Sequence, residues 1–128
     1  MSSGRALAAA GVLLAIATAC GAFGAHALKA QLPLQRLEIW EVAVRYQFLQ
    51  ALGLLGVGLT LRVLDAAPLR AAAALIVSGV VLFSGSLYAL ALGAPRALGV
   101  LTPLGGLAWI AGWLVFAWGA WQRGGGNT

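Results

Sequence analysis

Charged side chains are scarce in this sequence, since only 9% of its 128 residues are Asp, Glu, Lys or Arg. An ordinary soluble domain carries about 25% charged residues, so this chain cannot coat the surface of a water-soluble globule. Hydrophobic residues make up 62% of it instead. The composition excludes a soluble enzyme and a disordered tail, and it predicts that most of the surface contacts an apolar medium.

Cysteine is nearly absent too, because Cys20 stands alone. No intrachain disulfide can form, which excludes a secreted disulfide scaffold and a cysteine metal cluster. Residues 17–21 resemble a lipoprotein cleavage site, but Ala17 stands where such sites usually carry Leu or Val. The apolar run also continues to Leu28, longer than the core of a signal peptide. We therefore expect an uncleaved chain with an inert, buried thiol.

Acidic residues number only three against eight basic ones, which gives a formal net charge of +5. Such a balance can indicate nucleic-acid binding when the bases form a patch. Here they stand singly between apolar runs. We expect them to contact lipid headgroups, and we expect no nucleic-acid partner.

Long runs without any acid or base are abundant instead. They cover residues 6–28, 46–61, 71–95 and 97–122. About 20 apolar residues cross the roughly 30 Å hydrocarbon core of a bilayer as a helix, and backbone groups in lipid must be satisfied within each segment. The sequence predicts an all-α integral membrane bundle of four transmembrane helices, running up, down, up and down, as one domain over residues 1–128. The predicted spans are about 6–27, 44–63, 71–92 and 100–121.

The segment before the second span, residues 29–45, has a different pattern. Pro33 can begin a helix, and the apolar residues after it recur on one face. Glu41 precedes Arg45 by four residues, which is the favourable order for an ion pair. We expect an amphipathic connector that continues into the second span. A helix at the membrane interface, with Trp40 at headgroup depth, is the alternative.

The fourth span contains a start signal in Thr102 and Pro103. Thr can cap a helix, and Pro fits its first position. We therefore expect the helix itself over residues 103–121, preceded at residues 93–102 by a lead-in that is either irregular or partly re-entrant.

Polar and small side chains occur toward one end of each predicted span. Helices in lipid associate through small residues and interhelical hydrogen bonds, so these residues predict the inner faces. The candidate polar cluster comprises His26, Arg45, Tyr46, Gln47, Gln50, Ser84, Ser86, Tyr88 and Thr102. The candidate helix-packing residues are Gly21, Gly24, Gly85, Gly105 and Gly106. In an up-down-up-down bundle all of them lie toward the same membrane face, and we expect a common level near one surface.

These residues have structural and functional interpretations. The amides and hydroxyls can hold helices together, and His26 can anchor the first span at the interface. His26 can instead carry a proton or bind a ligand, because an ionisable group at membrane depth is a functional candidate. Gly105 and Gly106 can instead let the backbone approach a ligand. A single His cannot hold a metal, so no metal or cofactor is predicted.

Four motifs run in order through residues 6–121: GAFGAHALK, YQFLQALGLL, LFSGSLYALAL and LTPLGGLAWIAGWL. In these motifs the sequence resembles domain-of-unknown-function family 423, the YgdD-like small membrane proteins of bacteria. The resemblance implies a four-helix protein of the bacterial inner membrane with no established activity and no catalytic residues to transfer. It implies cytoplasmic termini, since relatives tend to have basic C-terminal tails. It also implies a departure at Gln50, where relatives usually carry His.

Two functions fit these features. The first is an accessory or interaction protein that binds a membrane-protein partner, a lipid or a second copy of itself, since packing motifs alone suffice for it. The alternative is a subunit of an oligomeric transporter or channel for ions or small solutes, with a polar vestibule in one leaflet. An enzyme is not expected, because Ser84 and Ser86 have no base except His26 and no deep acid to orient it.

Overall fold

The computed structural model describes residues 1–124. Within that range the chain forms four long α-helices, which are α1 Ser3–His26, α2 Leu34–Val63, α3 Ala67–Ala91 and α4 Leu101–Gly124. Short 3-10 helices precede α2 and α4, and the described range contains no β-strand. All four α-helices are long and apolar enough to cross a membrane. The predicted all-α bundle of four transmembrane helices is therefore confirmed; residues 125–128 of the predicted domain lie outside the described range.

The helix ends follow local signals. The side-chain oxygen of Ser2 caps α1 by accepting from the backbone N–H of Arg5 at 3.2 Å. Pro33 directly precedes α2, and Pro68 lies in the first turn of α3, where a missing N–H costs no hydrogen bond. Gly93 follows α3 with a φ of 105°, which is accessible to a residue without Cβ and turns the chain toward α4.

The helices pack against one another in chain order. α1 packs on α2, α2 on α3 and α3 on α4, with a smaller contact between α1 and α3. Consecutive helices are antiparallel: Gly58, near the end of α2, meets Leu7, near the start of α1. α2 and α3 form the inner pair, since each packs on two neighbours, whereas α1 and α4 each have one principal neighbour.

The connections define two ends of the bundle. Residues 27–33 and 92–100 lie at one end, the two-loop end, while the tight link at residues 64–66 and the start of α1 lie at the other, the terminal end. The apolar core divides accordingly. The larger cluster reaches the terminal end and includes Ala6, Ala10, Leu54, Leu61, Leu69 and Ile76. The smaller cluster lies at the two-loop end and comprises Leu28, Leu37, Trp40, Val44 and Ala91.

The segment before the second span continues into it, as one helix of 30 residues and about 45 Å. Trp40, which lies on this segment, is only 6% exposed and packs between helices. The predicted ion pair of Glu41 with Arg45 is wrong, because the one salt bridge within residues 1–124 joins Asp65 and Arg70.

The start of the fourth helix also differs from the prediction. α4 begins at Leu101, so Thr102 lies inside its first turn and does not cap it. The expected irregular lead-in contains a 3-10 helix over Arg96–Val100. The hydroxyl of Thr102 instead forms a hydrogen bond with the hydroxyl of Ser86 on α3.

Candidate functional site

Gln47 joins three helices through its side chain, which is 2% exposed on α2. Its Nε2 donates to the backbone carbonyl of Leu13 on α1 at 2.8 Å. Its Oε1 accepts from the hydroxyl of Tyr88 on α3 at 2.7 Å. An unpaired amide would be costly in this apolar interior. The two bonds therefore fix α1 and α3 to α2.

Two buried serines fasten α3 to its neighbours. The hydroxyl of Ser84, 1% exposed, donates to the carbonyl of Ala43 on α2 at 2.8 Å. The hydroxyl of Ser86 donates to the Phe83 carbonyl of its own helix at 2.9 Å. The oxygen of Ser86 also lies 2.5 Å from the hydroxyl oxygen of Thr102 on α4. α3 is thereby bonded to both α2 and α4 near the two-loop end.

Three indole N–H groups extend this network, and none of them was predicted from the sequence. Trp40 donates to the Cys20 carbonyl at 2.8 Å, and Trp109 donates to the Ile76 carbonyl at 3.1 Å. Trp113 donates to Gln50 Oε1 at 2.9 Å. Each indole also covers a glycine of another helix, where a Cβ would collide with the ring. The pairs are Trp40 over Gly24, Trp109 over Gly79, and Trp113 over Gly53. Each pair joins different helices, so no local sequence pattern could reveal it.

Tyr46 belongs to an aromatic group rather than to the hydrogen-bond network. Its ring centroid lies 5.2 Å from that of Phe83 on α3 and 6.1 Å from that of Trp109 on α4. The rings of Phe83 and Trp109 are 4.6 Å apart. Tyr46 remains 39% exposed. Tyr46 thus lies at the bundle surface, where α2, α3 and α4 meet.

His26 and Arg45 lie outside the network. His26 is exposed at the last turn of α1, and no side-chain hydrogen bond joins it to another described residue. Arg45 is exposed on α2 and lines a shallow groove with Glu41, above Gly21 and Gly24. The structure therefore does not bring either side chain to the buried amides and hydroxyls.

The predicted packing glycines divide into two groups. A Cβ on Gly24 would lie 2.7 Å from the indole of Trp40, and one on Gly21 would lie 3.4 Å from Val44. A Cβ on Gly105 would lie 2.5 Å from a backbone nitrogen of α3. The predicted packing role is wrong for Gly85 and Gly106, because a Cβ on either would meet nothing within 4 Å. Both point away from the helix contacts. Five further glycines are closely packed and were not predicted from the sequence: Gly53, Gly58, Gly79, Gly112 and Gly119.

The depth of the network also differs from the expected single level near one surface. Ser86 and Thr102 lie near the two-loop end. Gln47 instead lies about 20 Å along α2 from its first residue. Its partner Leu13, and the Trp113 that bonds to Gln50, lie near the middles of their helices. The polar side chains therefore form a descending series of bonds from the two-loop end to the middle of the bundle.

The chemistry of this arrangement is that of helix attachment. Among residues 1–124, no buried side-chain nitrogen or oxygen lacks a hydrogen-bond partner. In the same range, no three His, Cys, Asp or Glu side chains converge as metal ligands would. The buried donors and acceptors are thus engaged with one another.

Comparison with known proteins finds relatives along most of the chain. The family described as Protein of unknown function (DUF423) matches residues 20–106. A UPF0382 membrane protein of Staphylococcus haemolyticus is 47% identical over 95 residues, which cover 74% of this chain and 77% of that protein. The UPF0382 membrane protein YwdK of Bacillus subtilis is 41% identical, with 78% and 82% covered. The UPF0382 inner membrane protein YgdD of Escherichia coli is 34% identical, with 82% and 80% covered.

No solved structure matches the chain. The family match nevertheless spans most of its length, and it agrees with the resemblance carried by the four sequence motifs. The four described helices are long and apolar enough to cross a membrane, and the relatives are named membrane proteins. The chain is therefore a multi-pass membrane protein that belongs to the DUF423 family.

Proposed function

We propose that this protein is a non-enzymatic accessory protein of the membrane, which acts by associating laterally with another membrane protein. One observation carries the proposal: the buried polar groups of residues 1–124 are all bonded inside the bundle. Groups engaged in this way hold a scaffold together and leave recognition to its outer surface.

The serine geometry supports a scaffold rather than a catalyst. A serine nucleophile needs a base within hydrogen-bond reach of its hydroxyl. The hydroxyl of Ser84 is directed to a backbone carbonyl of α2, and that of Ser86 to a carbonyl of α3 and to Thr102. His26, the one imidazole of the chain, is exposed at the end of α1.

The geometry of Gln47 favours the accessory role over a transport path. A polar group that passes a solute along must exchange its partners during transport. Gln47 is bonded on both sides, to Leu13 and to Tyr88, and opening it would separate three helices. A transport path through one bundle would therefore have to break the contacts that assemble it.

The outer helices offer the surface for a lateral partner. Val12 and Ile16 on α1 are 59% and 44% exposed, and Ile110 and Leu114 on α4 are 60% and 66% exposed. α1 and α4 each have one principal neighbour within the bundle, α2 and α3 respectively. Their outward faces contact whatever lies beside the protein in the bilayer.

Site-specific photocrosslinking in native membranes tests the proposal. A photoreactive residue would replace Val12 or Ile110, and buried Leu54 would be the matched control. We expect a discrete protein adduct from at least one outward position and none from Leu54. Crosslinks to lipid alone from both outward positions would contradict a protein partner.

A flux assay on the purified protein in liposomes separates the alternative function. The accessory role predicts no conductance or exchange of ions and small solutes at any pH tested. A flux that Gln47→Leu abolishes, in a variant that still folds, would replace the accessory role with transport.

A further inference from the structure

Two arginines from separate parts of the chain line one cavity at the two-loop end. Arg36 lies in the first turn of α2, and Arg96 begins the 3-10 helix before α4. The cavity they share is open and has a volume of about 630 Å³. Gln35 and the turn at Gly93 complete its polar rim. Residues 60 positions apart thus supply two guanidinium groups to one surface recess.

The recess is electropositive. No Asp or Glu lines it, and within residues 1–124 neither arginine takes part in a salt bridge. The guanidinium of Arg36 lies close to the turn after α3: a Cβ on Gly93 would be 3.5 Å from its Nη1. A planar guanidinium offers a fork of N–H donors that matches the oxygens of a phosphate, and two of them can share one phosphate.

An apolar groove continues from the recess. A second cavity of about 320 Å³ shares Gln35 and Ile39 with the first, and it extends along α2 and α3 to Val42 and Leu87. Val42 lies about 12 Å along α2 from Leu34, toward the middle of the bundle. Glu38 lies on the rim of this second cavity, so one carboxylate accompanies the two guanidinium groups.

We propose that the recess and groove together bind an anionic phospholipid from the surrounding bilayer. Its phosphate lies between Arg36 and Arg96, and part of an acyl chain lies along Ile39, Val42 and Leu87. The apolar continuation is the reason to assign a lipid rather than free phosphate, which would use only the recess. Basic pockets between transmembrane helices bind lipid headgroups by this combination of charge and apolar contact. The site does not depend on the accessory role, because it requires no protein partner.

Native mass spectrometry of the full chain in detergent tests the site. The probes are phosphatidylglycerol and phosphatidylcholine with identical acyl chains. We expect the wild type to retain phosphatidylglycerol about tenfold better, because two basic side chains contact its phosphate and no choline group neutralises it. The variant Arg36→Gln with Arg96→Gln should lose this preference.

A matched control removes the same charge elsewhere. Arg62→Gln with Arg123→Gln neutralises two exposed arginines at the terminal end and should keep the preference for phosphatidylglycerol. Equal losses in both double variants would overturn the site, since they would show a response to net charge alone. An unchanged preference in the Arg36 and Arg96 variant would overturn it as well. Circular dichroism would establish that each variant remains helical.

Two further arms separate a lipid from a free ion. The variant Val42→Trp fills the groove without changing the charge, and it should lower the retention of phosphatidylglycerol while leaving the arginines in place. Inorganic phosphate at the same concentration should not displace the lipid. If phosphate displaces it fully and Val42→Trp has no effect, the recess is a site for a free anion and the lipid assignment is wrong.

Discussion

The two halves of the bundle are held together by different interactions. In the half toward the two-loop end, Ser84, Ser86 and Trp40 make hydrogen bonds between helices or to neighbouring carbonyls. In the half toward the terminal end, the core is built from Ala, Leu and Ile, with close approaches at Gly58 and Gly119. Lipid tails are as apolar as leucine, so apolar burial alone gives helices little reason to choose one another. The difference is that the two-loop half combines directional bonds with close backbone contacts such as that at Gly105, whereas the terminal half relies mainly on apolar packing and glycine contacts.

The α3–α4 contact at Gly105 should be the most sensitive to substitution. A Cβ there would lie 2.5 Å from the Phe83 nitrogen and 2.8 Å from the Gly79 carbonyl oxygen, and neither backbone atom can move cheaply. Gly105→Ala should lower the free energy of unfolding by about 2–3 kcal/mol. The measurement is denaturant unfolding in detergent micelles. Gly106→Ala is the matched control, since a Cβ there meets open space; equal losses would contradict this packing.

Enlarging Ser84 should have the next largest effect. Ser84→Val adds bulk at a buried contact between α2 and α3 and removes the bond to Ala43. The expected loss of unfolding free energy is about 1–2 kcal/mol. Ser78→Val provides the control on the same helix, because Ser78 is exposed and bonds only to Ala74 of its own helix. A thermal unfolding series on the two variants would measure the difference. A larger loss at Ser78 would be incompatible with the account.

A glycine of the terminal half sharpens the comparison. A Cβ on Gly58 would lie 2.8 Å from Leu7 Cδ2, the far end of a flexible side chain, and 3.2 Å from the Leu7 nitrogen. Because the leucine can adjust, Gly58→Ala should cost only about 1 kcal/mol. Gly56→Ala, where a Cβ meets nothing within 4 Å, should cost nothing. The same unfolding titration applies. A cost at Gly58 above that at Gly105 would contradict the assignment of the tighter backbone contact to the two-loop half.

The bond from Trp113 to Gln50 should contribute the least. Trp113→Phe keeps an aromatic ring over Gly53 but removes the indole donor. An interhelical hydrogen bond of this kind contributes roughly 0.6 kcal/mol. Trp118→Phe, at a position 57% exposed, controls for the change of ring size. Gln50→His should retain most of the stability, because imidazole also offers an acceptor nitrogen. A double substitution that costs the sum of Trp113→Phe and Gln50→Leu would show that the bond does not couple them.

The architecture was predictable because charge is so unevenly distributed along the chain. Runs without acids or bases fix the four spans, and Pro33 marks a helix start that the structure reproduces. Gln47 and Ser84 were recognised as interior because amides and hydroxyls in lipid need partners. The sequence could not name those partners, since Leu13 and Ala43 contribute only backbone carbonyls.

The contacts that the sequence did not predict share a physical cause. Trp40 fits an interfacial pattern, but its ring lies over Gly24 and its indole N–H donates to the carbonyl of Cys20. Gly85 and Gly106 sit beside packed neighbours in sequence yet lie on the other face of their helices. Successive residues of a helix lie about 100° apart around its axis, so adjacent residues face different neighbours. Composition alone does not determine which of these faces contacts another helix.

The Gln47–Tyr88 bond is the most direct test that the buried polar groups assemble the helices. A double-mutant cycle would compare Gln47→Leu, Tyr88→Phe and the combined variant by reversible unfolding in detergent. Because the hydroxyl of Tyr88 donates to Gln47 Oε1, the account predicts a coupling free energy of about 0.6–1.7 kcal/mol. Strictly additive effects, with no coupling, would contradict it.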